Sequence, residues 1–246
     1  MGNNPGRILP LSGIINFRDL GGYPTADGRR VRWRRLYRSA RWTAATPDDA
    51  AALAKLDIDT VIDFRDEAKR EQRPEHIPPG VRRVVHLPIE PVDPVFADGL
   101  ASIPRSGDAA ANRALMRAFY VEMVTEHADR FRAFFAALAE AQGPVVFHCS
   151  AGKDRTGLAA ALLLTALGVG AEDVYADYMA SGPLIRHAFA DFIARHGEAV
   201  KPFAEVDASY LDAALDTITR RYGSVETYLR DILQIDTNAL RGRFLE

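Results

Sequence analysis

Three observations in this sequence predict an α/β fold, a central, mostly parallel sheet flanked by helices with a helical C-terminal part. Short apolar runs alternate with helical patterns through the first two thirds of the chain, and beyond Gly168 only helical patterns remain. Between a strand-like run and a helix lies a polar, glycine-bearing loop, His148 to Thr156, where open α/β sheets bind ligands. No internal repeat or flexible linker stands out, so one domain covering 1–246 is expected, with 171–221 as a candidate helical lid within it.

Val31 to Tyr37 mixes β-formers with arginines after a turn at Ala26-Asp27-Gly28 and reads as an edge strand. Thr46 can cap a helix whose first position holds Pro47 and whose first turn holds Asp48 and Asp49, with an Ala/Leu stretch reaching Leu56. Thr60 to Phe64 is a short buried strand, and Val84 to Leu87 is another. The Pro-, Asp- and Gly-rich segment from Pro88 to Asp108 reads as a long loop. Apolar residues recur at helical spacing from Leu115 to Val124 and from Phe131 to Leu138. Gly143-Pro144 breaks the second helix, Val145-Val146-Phe147 forms a strand, and Gly157 to Leu167 is the helix after the polar loop. Further helices are expected over Ala171 to Met179, Leu184 to Arg195, Tyr210 to Tyr222 and Val225 to Leu233.

Composition removes several classes of function. A formal charge of −2 gives no general basic field, so nucleic acid is not an expected partner and any anion site must be local. The longest apolar run, Leu158 to Leu167, is far below the roughly 20 residues of a spanning helix, which argues against stable membrane insertion. The N-terminus lacks the pattern of a signal peptide. A cytoplasmic location is expected, and secretion without a signal peptide is compatible with the same features. One cysteine allows neither an internal disulfide nor a cysteine-rich zinc site, so Cys149 is either inert packing or a reactive group.

The loop decides for reactivity. It sets a thiol at the end of a strand and Arg155 six residues later at a helix start. Backbone N–H groups of Ser150, Ala151, Gly152, Lys153, Asp154 and Arg155, aided by the helix dipole, can cradle a phosphate there. A cysteine at a helix N-terminus beside an arginine is ordinarily acidified, so Cys149 is expected to react as a thiolate. Arg155 offers a planar fork to two phosphoryl oxygens, and Thr156 can donate to the sulfur as it leaves. The chemistry calls for no cofactor and no metal.

Cys149, five intervening residues, Arg155 and Thr156 resemble the signature of the protein tyrosine phosphatase superfamily. The fuller string His148-Cys149-Ser150-Ala151-Gly152-Lys153-Asp154-Arg155-Thr156-Gly157 is similar to a bacterial branch of atypical tyrosine and dual-specificity phosphatases, whose mycobacterial secreted members also hydrolyse phosphoinositides. The segments Asn16 to Gly22, Leu36 to Ser39, Val61 to Arg65, Tyr222 to Ser224 and Tyr228 to Arg230 resemble that branch in order, so nearly the whole chain is covered. The resemblance implies a phosphocysteine intermediate and a phosphorylated protein or phosphoinositide as substrate. It also implies that His148 hydrogen-bonds within the loop and tunes the thiol, without acting as an acid or base. A rhodanese-like sulfurtransferase and a non-catalytic phosphate-binding module are the competing readings.

A leaving alkoxide or phenoxide needs a proton. Three aspartates compete to give it: Asp154, ranked first because it resembles the extra loop aspartate of the bacterial branch; Asp63, at a strand end near the ligand edge, for which structural pairing with Arg65 or Arg38 is the equal alternative; and Asp93, in the long loop. Lys153 matches a position where phosphoinositide phosphatases also carry lysine; the competing reading is a solvent-exposed charge.

Overall fold

The computed structural model describes residues 6–91 and 108–246. Five strands form one sheet in the order β1-β2-β5-β3-β4: β1 (Arg18–Asp19), β2 (Leu36–Ser39), β3 (Thr60–Asp63), β4 (Arg83–His86) and β5 (Val145–His148). β1 runs antiparallel to β2 and the other neighbours are parallel, so the expected mostly parallel sheet is present. β5 lies between β2 and β3, with Val146 level with Tyr37 on one side and Val61 on the other.

Alternation along the strands gives the sheet two apolar faces. Tyr37, Val61 and Val146 pack with Ile14, Phe17, Trp42 and Leu53, beneath α1 (Pro47–Ala54). Leu36, Ile62, Val145 and Phe147 face the larger core, built with α2 (Glu67–Gln72) outside it and α3 (Ala109–Thr125), α4 (Ala128–Glu140) and α5 (Arg155–Leu167) contributing to it. α1 begins as the sequence dictates: Thr46 and Asp49 form a reciprocal capping box around Pro47. α5 is buried almost throughout and ends on Gly168, whose φ of +86° suits a residue without Cβ.

The C-terminal part is helical, as expected: α6 (Ala171–His196), α7 (Lys201–Ala204), α8 (Ala208–Tyr222), α9 (Val225–Thr227), a π-helical turn at Tyr228–Ile232 and α10 (Thr237–Phe244). The last residues return to the start of the domain. Arg30 and Glu246 exchange backbone hydrogen bonds at 2.9 Å, and Val31 bridges Leu245.

Two expectations need correction. The strand near Val31 to Tyr37 is β2 at Leu36–Ser39, an interior strand between β1 and β5, because its residues are all buried while Val31 pairs with the chain end instead. The two helices expected around Ser181-Gly182-Pro183 are one 26-residue helix. Tertiary anchoring overrides the breaker signal: Ser181 and Ile185, on either side of Pro183, are both buried. Asp93 and most of the Pro88 to Asp108 segment lie outside the described residues.

Candidate active site

The loop after β5 is held from outside by its carbonyls. Ser150 O accepts from the backbone N–H of Arg41 at 3.3 Å and from its guanidinium at 3.2 Å. Asn16 Nδ2 donates to Ala151 O at 3.1 Å and to Gly152 O at 2.9 Å, and Arg38 Nη2 donates to Gly152 O at 2.8 Å. Among the described residues, no acceptor takes the backbone N–H of residues 150 to 154. Three consecutive carbonyls turned outward leave the amides for the concave side, the arrangement an anion cradle requires. Gly152 makes the turn possible: its φ is +68°, and a Cβ there would lie 2.2 Å from Ser39 O.

Cys149 is buried at the base of this loop. Arg155, at the first position of α5, has a buried Nε without a hydrogen-bond partner and its guanidinium 5.6 Å from the Phe119 ring centroid. Thr156 Oγ1 is likewise buried and unpartnered. A guanidinium nitrogen and a hydroxyl left without partners where α5 leaves the loop of the thiol are groups that a bound phosphoryl and a sulfur anion would complete.

Asp154 and Lys153 form a pair. Lys153 Nζ donates to Asp154 Oδ1 at 2.6 Å, and the Tyr120 hydroxyl donates to the same oxygen at 3.0 Å. Tyr120 in turn meets the Tyr178 hydroxyl at 2.8 Å. Lys153 is only 2% exposed, which removes the reading of it as a solvated surface charge. The Asp154 carboxyl is partly open, at 20%.

Asp63 sits elsewhere. Its carboxylate is fully buried and takes the Arg65 backbone N–H at 2.9 Å and the Arg65 Nε at 2.9 and 3.1 Å. It pairs with Arg65, as one of the two sequence readings had it, and belongs to a second layer centred on Glu75, the member that sequence reasoning missed. His148 Nε2 lies 3.1 Å from Glu75 Oε2, and His148 Nδ1 lies 3.6 Å from Asp63 Oδ1. Glu75 also accepts from the Trp42 backbone N–H at 2.9 Å, and the Trp42 ring stacks on His148. Burial opposes charge on His148, but Glu75 and then Asp63 outweigh it and hold its pKa up at about 8. Burial likewise works against the Glu75 carboxylate, and His148 and Arg65 bring it down to about 2. Asp63, Glu75 and His148 place donor atoms within 4.8 Å of one another, a grouping that no local spacing in the sequence announces. Arg65 Nη2, 2.9 Å from Asp63 and 3.4 Å from Glu75, already supplies the cation there.

Beneath the loop, Arg18 and Arg38 share Asp177 of α6. Arg18 Nε is 2.9 Å from Asp177 Oδ1, Arg38 Nη1 is 2.5 Å from Oδ2, and all three side chains are at most 1% exposed. Both arginines also donate to Ser181 Oγ. Burial disfavours the Asp177 carboxylate, yet the two arginines lower its pKa to about 2.

The sequence profile described as the tyrosine phosphatase family matches residues 9–246. The chain belongs to the tyrosine phosphatase family. The phosphatase is 40% identical to a Cupriavidus necator protein named for the tyrosine-protein phosphatases, over 96% of this chain and 88% of that one. It is 32% identical to the triple specificity protein phosphatase PtpB of Mycobacterium tuberculosis, over 97% and 99% of the two chains. Pseudomonas aeruginosa TpbA, solved with phosphotyrosine, is similar over 98% of both chains at 19% identity with a TM-score of 0.39. The phosphatase has, among its described residues, no helix long and apolar enough to cross a membrane.

Proposed function

We infer that the phosphatase hydrolyses phosphate monoesters, phosphotyrosine foremost and phosphoserine or phosphothreonine by the same route, through a phosphocysteine formed on Cys149. The observation that carries this reading is the loop whose carbonyls are fastened outward by Asn16, Arg38 and Arg41 around a buried thiol, with Arg155 Nε left free.

The Cys149 thiolate attacks phosphorus, a sulfur–phosphorus bond forms, and the bond to the ester oxygen breaks with its electron pair going to the leaving group. Loop amides and Arg155 hold the equatorial oxygens, whose charge grows in the transition state. Asp154 gives its proton to the departing oxygen. Its present bond to Lys153 means that the incoming dianion must draw the ammonium onto itself, freeing the carboxyl. Water then attacks the phosphocysteine, Asp154 takes its proton, and Thr156 Oγ1 donates to the leaving sulfur. Asp63 acts on this chemistry through Arg65 and His148, its carboxylate being enclosed by them.

Phosphoinositide hydrolysis by the same loop is the second reading, favoured by the buried Lys153 ammonium four residues after the cysteine. Catalytic efficiencies on phosphotyrosyl peptides, phosphoseryl peptides and soluble phosphoinositides, with intact-mass detection of a phosphorylated enzyme after acid quench, test both. An 80 Da adduct that never appears on wild-type enzyme quenched during turnover would count against the covalent route.

A further inference from the structure

A cleft of about 490 Å³ opens directly beside the loop, walled by Ser150 and by Arg41, Arg73 and Arg195, with Phe189 and Phe192 of α6 on its apolar side. The volume falls in the range of small-ligand sites. Among the described residues, none of the three guanidiniums makes an ion pair with a carboxylate: Arg41 donates to Ser150 O and Thr43 Oγ1, Arg195 donates to the Asp191 carbonyl, and Arg73 gives only its carbonyl to Arg65. Arg41 is half-buried, and burial followed by the neighbouring Arg73 and Arg65 cations disfavours its charge. Cys149 and Glu75 offset this only in part, and like charges held together with no ion pair of their own gain when an anion enters.

We propose that the Arg41–Arg73–Arg195 cleft is a substrate subsite that takes an anionic side chain, a carboxylate or a second phosphate, flanking the phosphorylated residue of a peptide. The subsite rests on the reading of the Cys149 loop as the reaction centre, since Ser150 and Ala151 belong to both. The phenyl rings favour a peptide over a lipid headgroup, because a hydroxyl-covered ring pressed against Phe189 and Phe192 loses water without gaining partners. The contact is made before and during reaction alike, so it lowers KM and leaves kcat unchanged.

The test compares kcat/KM for phosphotyrosyl peptides identical except for glutamate, alanine, lysine or a second phosphotyrosine beside the reacting residue, with a short-chain phosphoinositide and p-nitrophenyl phosphate alongside. In wild-type enzyme the glutamate flank is expected to exceed the alanine flank by about tenfold, carried in KM, as a charge-assisted contact provides. That ratio falls to about one in the Arg73→Ala/Arg195→Ala double variant and tilts toward the lysine flank in Arg195→Glu. Peptide turnover with no flank preference overturns the subsite, as does a preference that survives the double variant. Loss of phosphoinositide turnover with the peptide ratio intact assigns the cleft to lipid and also overturns it. Wild-type enzyme inert toward p-nitrophenyl phosphate and every other substrate strikes the Cys149 chemistry itself, and the subsite with it.

Discussion

Arg38 joins the helical layer to the phosphate loop: one of its nitrogens lies 2.5 Å from Asp177 of α6 and the other donates to the Gly152 carbonyl at 2.8 Å. The carboxylate thus steers the backbone of the anion cradle through a single rigid guanidinium.

Asp177→Asn is expected to destabilise the fold by about 3 to 5 kcal/mol, because it leaves Arg18 and Arg38 buried without a counter-charge. The Asp177 pKa is lowered to about 2 from its ordinary 3.8, so its contribution is present above pH 3.8 and lost as pH falls through about 2. Urea unfolding across that range checks it; a variant that unfolds at the wild-type midpoint contradicts the clamp.

Cys149→Ser should abolish turnover while vanadate or phosphate still binds, since the cradle does not need the sulfur. Arg155→Lys should lower kcat by roughly two to three powers of ten, because a point charge replaces a planar fork. Steady-state rates on p-nitrophenyl phosphate decide both, and a tenfold loss or less for Arg155→Lys would mean that it does not meet the transferring phosphoryl.

The acid assignment is tested by leaving-group dependence. Asp154→Asn is expected to remove the basic limb of the pH profile and to slow alkyl phosphates more than p-nitrophenyl phosphate, whose phenolate departs with little help. Asp63→Asn should act instead through stability, as its carboxylate is enclosed by Arg65 and His148. A slope of log kcat against leaving-group pKa that steepens only in Asp93→Asn assigns the proton to Asp93, outside the described residues.

His148 is held up at about 8, so its charge contributes fully to stability below its ordinary 6.5 and the contribution is lost as pH rises through 8. Glu75→Gln removes the larger of the two opposing fields, and burial then carries the imidazole downward. Imidazole NMR titration should show its midpoint falling below the wild-type value, and the fall in stability between pH 6.5 and 8 should disappear. An unmoved midpoint refutes the assignment to Glu75.

Gly152→Ala should cost on the order of 2 to 4 kcal/mol and nearly all activity, given a positive φ and a Cβ 2.2 Å from the Ser39 carbonyl. Thermal melting with parallel rates measures it; a soluble variant with wild-type values means that the turn relaxes.

The strand, loop and helix around Cys149 were legible because their signals are local: Val145 to Phe147 is apolar, Gly152 and Gly157 punctuate, and Leu158 to Leu164 is an unbroken apolar run, buried throughout. What surrounds the loop was not. Nothing in the spacing of Arg18, Arg38 and Asp177 marks them as one buried cluster, since burial of a paired ion leaves no mark on its neighbours. Glu75 stands in a polar stretch after α2 that resembles any surface loop, and only the fold carries it to His148. Lys153 could be read as exposed because its partner, Asp154, is adjacent in sequence while the Tyr120 hydroxyl completing the pair is far away. Phe189 and Phe192 carry a helical pattern that fits core as well as cleft wall.

The pairing of Arg30 to Arg32 with Phe244 to Glu246 has a consequence in synthesis. Arg32 Nε reaches the Leu245 carbonyl across 213 positions, so this seam closes only when the ribosome has released the last helix. Contacts that distant make for slow folding, and α10, whose end completes the seam, also sets Arg241 against Gly168 at the close of α5. Assembly around α5 therefore finishes late, after β5 and the loop that follows it have already left the ribosome.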